Sequence, residues 1–204
     1  MGCSCQLLDH QEGWRVLIAN NNQRGFSLIE LMVGIIILGV ITSIGAPSFM
    51  SWIQNTQLRT AAETLTGGLQ LARAEAVRRN TSVQFSLMGT DSTWTMGCVN
   101  WDANGDGTED DTDGDGIGDC PAVIQSRSGA EGTRNAVVAT DNTTITFNGL
   151  GRATPAMTVN ITNPTGGGCS VDGGPMRCLN IIVVTGGQIR MCNPAYPNTN
   201  PQGC

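Results

Sequence analysis

The most prominent pattern along the chain is an apolar run from Phe26 to Ala46 in which Glu30 is the only charged residue. At about 1.5 Å per residue it spans about 30 Å, the hydrocarbon thickness of a bilayer. It reads as a transmembrane helix or an uncleaved signal anchor. A secretory signal peptide fits poorly, because its apolar core is short and ends at a small-residue cleavage site. Here the run is long and passes directly into amphipathic helix. From 48 to 80 the apolar positions Leu58, Ala62, Leu65, Leu69, Ala72 and Ala76 recur in steps of four and three, a stripe on one helix face. Arg59, Glu63, Arg73, Glu75, Arg78 and Arg79 mostly fall elsewhere, and Glu75–Arg79 is a favourable i,i+4 pair. Gly67-Gly68 weakens the middle of this helix.

After Asn80 the period changes to two. Ser82–Leu87 alternates as a strand does. Further strands are expected at Trp94–Asn100, Ala122–Ser126, Asn135–Ala139, Thr143–Phe147, Ala156–Thr162, Asn180–Val184 and Gln188–Cys192, punctuated by Gly, Asn and Pro. The pattern predicts an α+β chain: a long N-terminal α-helix, apolar then amphipathic, whose stripe packs on a C-terminal antiparallel β head.

Composition narrows the chemistry. The chain has 204 residues, net charge −6, no lysine and one histidine. That suffices for one ordinary domain with an appendage. Lysine-based catalysis and multi-histidine metal sites are excluded. No nucleophile–base pair can be read, so an enzyme is not expected. Eight cysteines in a glycine-rich chain point to an oxidising compartment or a metal site.

Arg24-Gly25-Phe26-Ser27-Leu28-Ile29-Glu30-Leu31 resembles the class III signal of type IV pilins and pseudopilins. The resemblance implies that a prepilin peptidase cuts between Gly25 and Phe26 and N-methylates Phe26. It implies that Glu30 pairs with the N-terminus of a neighbouring subunit during assembly. A carboxylate inside an apolar segment is costly without a cation, and the new α-amine is the nearest one; the alternative leaves Glu30 in the headgroup region. Pro47 sits where many such pilins have a helix-kinking proline, and proline in a helix removes a hydrogen bond and permits a bend.

Leu69–Asn80, Phe147–Arg152 and Gly187–Cys192 resemble words of the GspH/FimT subgroup of pilin-like proteins. The resemblance implies a pilin fold with a small β-sandwich head. The implied divisions are a leader at 1–25, a transmembrane or filament-core helix at 26–53, an amphipathic helix at 54–80 and a β-rich head at 81–204. The leader is long for this class; removing it leaves a mature chain with six cysteines and no histidine. The implied location is the inner membrane, single-pass with a periplasmic head, and then a pilus or pseudopilus filament. The implied partners are other pilins or pseudopilins and the peptidase. The implied role is a minor pilin or pseudopilin of a type IV pilus or type II secretion filament, in a tip or initiation complex.

Within the head, residues 102–119 carry eight carboxylates and no basic residue. Asp102, Asn104, Asp106, Asp110 and Asp113 fall at positions 1, 3, 5, 9 and 12 of an EF-hand-like spacing, with Gly107 at 6. A second frame starts at Asp111 and includes Asp113 and Asp115. Hard oxygen ligands suit Ca²⁺ rather than Zn²⁺, so one bound Ca²⁺ is expected; the plain alternative is a solvated acidic loop. The loop holds −8 of the charge, the leader is neutral, and the rest of the mature chain is +2.

Cys98 and Cys120 bracket the acidic loop, Cys169 and Cys178 a glycine-rich turn, and Cys192 and Cys204 the tail. Disulfides are expected, since the mature chain has no C-x-x-C. Six cysteines admit many pairings; the sequential one is the simplest and sequence does not choose. Some FimT-like minor pilins bind DNA in transformation through a G-R-x-R word near Gly187–Arg190. Here Gln188 replaces its first arginine and only Arg190 matches, which weakens the phosphate contact that clustered cations supply. Arg152 of the Phe147–Arg152 turn is a further candidate contact.

Overall fold

The computed structural model describes residues 25–102, 105 and 120–204. The described residues fall into two units, the first ending at Thr42 and the second running from Ser43 to Cys204. One helix assignment, α1, runs from Leu28 to Arg79.

In the first unit α1 starts at a side-chain cap. Ser27 Oγ accepts the Glu30 N–H at 3.2 Å, and the Ser27 carbonyl accepts the Leu31 N–H at 3.1 Å. This satisfies amides that a helix N-terminus leaves without partners. The side chains that follow are exposed all round, from Leu28 through Ile41. A helix apolar on every side needs an apolar environment, and the other described residues do not supply one. No single helix among the described residues is long and apolar enough to cross a membrane; the bent pair Leu28–Ser43 and Ser48–Arg79 meets the criterion together by length and composition only.

In the second unit the apolar stripe of α1 is buried. Leu58, Ala61, Ala62, Leu65, Leu69, Ala72 and Ala76 are at most 1% exposed. These alanines and leucines share one buried cluster with residues of the strands. The helix ends in a Schellman motif: Asn80 N–H donates to Val77 O and Thr81 N–H to Ala76 O, with Asn80 at φ 50°. Glu75 binds Arg78 Nη2 at 2.6 Å and Arg79 Nε at 2.9 Å. These hydrogen bonds, Arg78 first and then Arg79, hold its carboxyl below the ordinary range.

Nine strands follow among the described residues, all paired antiparallel. β1 (Val83–Leu87), β2 (Trp94–Cys98), β3 (Gln125–Arg127), β5 (Thr144–Phe147) and β6 (Ala153–Thr154) form one sheet in the order β3-β2-β1-β5-β6. β4 (Val137–Thr140), β7 (Met157–Thr162), β8 (Leu179–Val183) and β9 (Ile189–Cys192) form the other in the order β4-β7-β8-β9. Phe85 lies opposite Met96 on β2 and Ile145 on β5, while Val159 lies opposite Ile181. These inward residues of both sheets join the helix stripe in one buried cluster, an α+β head.

The differences from the sequence pattern are local. The short β6 was not expected, and β3 starts three residues later than the apolar run Ala122–Ile124 suggests. Val123 is 59% exposed, so that run is not a core strand. Gly68 does not mark a break; it sits under the stacked rings of Phe85 and Trp94, whose centroids are 5.2 Å apart.

Candidate functional site

Two regions carry the candidate residues. The first is the start of α1. Gly25 and Glu30 are exposed, and Phe26 is 82% exposed, so the Gly25–Phe26 bond and the first-turn carboxylate are accessible together. Serine at N-cap with glutamate three residues on is a helix-start signature that sequence reasoning passed over. It sets the first helical turn immediately after the bond the resemblance marks for cleavage. Glu30 also stands where the helix dipole favours a negative charge. Pro47 lies within the helical assignment.

The second region is the head. Three disulfides close it: Cys98–Cys120, Cys169–Cys178 and Cys192–Cys204. Each staples one loop. The first clamps the base of the acidic segment, where Cys98 N–H donates to Pro121 O at 3.0 Å and a Cβ at Gly97 would overlap the Ala122 carbonyl. Of the proposed calcium ligands, Asp102 is described, and its Oδ1 accepts the Gly105 N–H at 2.6 Å. Asn104, Asp106, Asp110, Asp113 and Asp115 lie outside the described residues. Among the described residues no cluster of His, Cys, Asp or Glu is placed to hold a metal.

The three sequence words of the head converge. The turn after β5 and the turn after β8 pack so closely that a Cβ on Gly187 would overlap the Gly151 carbonyl. Arg73 Nε, from the helix word, lies 3.0 Å from a Cβ position at Gly151 and 3.2 Å from one at Gly187. Both glycines have positive φ, 73° and 79°, which an L side chain rarely adopts. Sequence reasoning assigned these words separately and had no signal for Arg73 as the residue between them. Around this junction Arg152 is exposed, with its N–H on Asn148 Oδ1 at 3.0 Å. Its side chain lines a cleft with Thr154 and Thr185. Gln188 precedes β9, and the exposed Arg190 donates from Nη1 to Gly203 O at 3.3 Å. One cation of the tail region is thus partly engaged by the tail itself.

The family described as type II transport protein GspH matches residues 61–187, and the prokaryotic N-terminal methylation motif matches residues 20–46. A fimbrial protein of Moraxella nonliquefaciens is 42% identical over 50 residues, covering 24% of this chain and only 32% of that protein. The type IV minor pilin FimU of Pseudomonas aeruginosa aligns over 75% of this chain and 98% of its own, at 20% identity and TM-score 0.46. The minor pseudopilin EpsH from the type 2 secretion system of Vibrio cholerae aligns over 69% of this chain and 99% of its own, at 11% identity and TM-score 0.43. The family match holds the buried part of the helix stripe from Ala61 onward, strands β1 to β8 and both junction glycines, and on it the chain belongs to the GspH family and carries the N-terminal methylation motif.

Proposed function

We propose that this chain is a minor pilin or pseudopilin, a structural subunit that enters a type IV pilus or type II secretion filament and acts in its tip or initiation complex. Pilin and pseudopilin families are structural subunits, not enzymes. One observation carries the reading: the methylation motif lies directly on a capped helix whose apolar side chains are left exposed by the other described residues. Leaving such a surface in water is unfavourable by about 25 cal/mol per Å². A bilayer before assembly and neighbouring helices after it would cover it. Glu30 would then find the α-amine of an adjacent Phe26. The test is deletion of the gene, with complementation by wild type and by Glu30→Ala. Loss of filaments or of secretion, restored by wild type and not by Glu30→Ala, is the expected result. Unchanged piliation, twitching and secretion in the deletion strain counts against the reading.

The DNA-binding alternative has one supporting observation, the exposed Arg152 beside the junction that Arg73 bridges. A gel shift with the head at moderate salt tests it, with Arg152→Ala and Arg190→Ala as controls. Retention of DNA that both variants weaken supports uptake; no retention removes it. The calcium proposal rests on ligand spacing alone. It expects calcium to raise the melting temperature and to release heat on titration, and the absence of both would end it.

A further inference from the structure

A cleft of about 420 Å³ opens on the head between α1 and the C-terminal end of β9. One wall is a single helix face, because Trp52, Asn55, Thr56 and Arg59 fall at i, i+3, i+4 and i+7. The facing wall includes Arg177, Met191 and Tyr196. That wall is held in shape. Asn193 N–H donates to Gln202 O at 2.7 Å, and the Cys192–Cys204 bond closes the loop that carries Tyr196. Asn55 joins the two walls by accepting the Arg177 N–H at 2.7 Å.

The lining includes Trp, Tyr, Arg and Met, the residue types enriched at interface centres, and no Asp or Glu among the described residues. Trp52 is 63% exposed, and Tyr196, the chain's single tyrosine, is 41% exposed. Arg177 is exposed at the rim. Arg59 is bound to Glu63 at 2.7 Å, but both side chains are more than half in water, so the pair is easily exchanged for another carboxylate. The helix face also continues an exposed apolar surface, since Phe49 stacks on Trp52 at 5.8 Å. Arg177 at the rim and Arg59, once released from Glu63, favour carboxylates; two exposed rings beside them favour an apolar anchor.

We propose that this cleft docks an acidic segment of a neighbouring filament subunit, with an apolar side chain against Trp52 and Tyr196 and carboxylates on Arg59 and Arg177. The proposal rests on the subunit reading above and adds the partner's chemistry. The test places a photo-reactive benzoylphenylalanine at Tyr196 in the full chain, in the cell, with Gln125 on the exposed edge strand β3 as the control position. The expected product is a cross-link from position 196, and not from 125, to another filament subunit, on a peptide holding Asp or Glu. Arg177→Glu should lower its yield by about tenfold or more, and Arg177→Lys by much less. Absence of the product in filaments that contain the chain overturns the cleft proposal alone. So does a product with a glycan, a lipid or a peptide lacking carboxylates, and so does a yield unchanged by Arg177→Glu. Absence of the chain from filaments, read by immunoblot of the same fraction, overturns both the cleft and the subunit reading.

Discussion

Adjacent glycines in the middle of α1 should respond to alanine with opposite signs. Gly67 is exposed, and a Cβ there meets nothing within 4 Å. Alanine at that position gains helix propensity and removes backbone freedom from the unfolded chain, about 0.5–1 kcal/mol of stabilisation. Gly68 is buried, and a Cβ there would lie 2.9 Å from both Phe85 Cε2 and the Trp94 ring. The same propensity gain applies, yet the rings must withdraw by about 0.5 Å to reach ordinary contact. Phe85 is 1% and Trp94 3% exposed, so neither ring has solvent to move into. Overpacking of this kind costs about 1–3 kcal/mol. The net for Gly68→Ala is a loss of up to about 2 kcal/mol. At about 2–4 °C per kcal/mol for a chain of this size, Gly67→Ala should melt a few degrees higher and Gly68→Ala several degrees lower. Thermal unfolding followed by far-UV circular dichroism reads both. A Gly68→Ala protein more stable than wild type, as the propensity gain alone would make it, would refute the packing argument.

Three further outcomes follow from named contacts. Glu75 has a folded carboxyl held below its ordinary 4.5 by Arg78 and Arg79, so its contribution is present above the unfolded value and lost as pH falls through the folded one; Glu75→Gln should flatten that part of the acid-side loss in a pH series of melting temperatures. Opening the Cys98–Cys120 loop, 22 residues apart in sequence, by Cys98→Ser with Cys120→Ser should cost about 3 kcal/mol in a urea titration. Asn80 holds φ 50° at the helix end, so Asn80→Val should lose about 1–2 kcal/mol in the same titration while Asn80→Gly changes little.

The helix and most strands were legible because their periods are unambiguous. The stripe from Leu58 to Ala76 follows from spacing alone, and every residue named in it is buried. Val83, Phe85 and Leu87 alternate inward as the period of two requires. What spacing cannot convey is proximity between distant words. Gly151 and Gly187 each read as an ordinary turn glycine. Their shared requirement, that one turn lie against the other with Arg73 beside both, exists only once the sheets are assembled. Gly68 read as a weakness for the same reason, since its neighbours Phe85 and Trp94 come from later strands. The cleft beside Trp52 is less legible still, because its two walls are more than a hundred residues apart in sequence. The first helical turn is the opposite case: Ser27 and Glu30 form a local signature that was readable and was missed.

We propose that a processed form of this chain, starting at Phe26, is built into a filament through α1, which begins at Leu28. Mass spectrometry of the N-terminal peptide, taken from sheared or overproduced filaments, tests it most directly. The expected peptide starts at Phe26, carries one added N-methyl group and is present in the filament fraction. A chain that keeps residues before Phe26, or one that is confined to the membrane fraction while filaments form without it, would contradict this role.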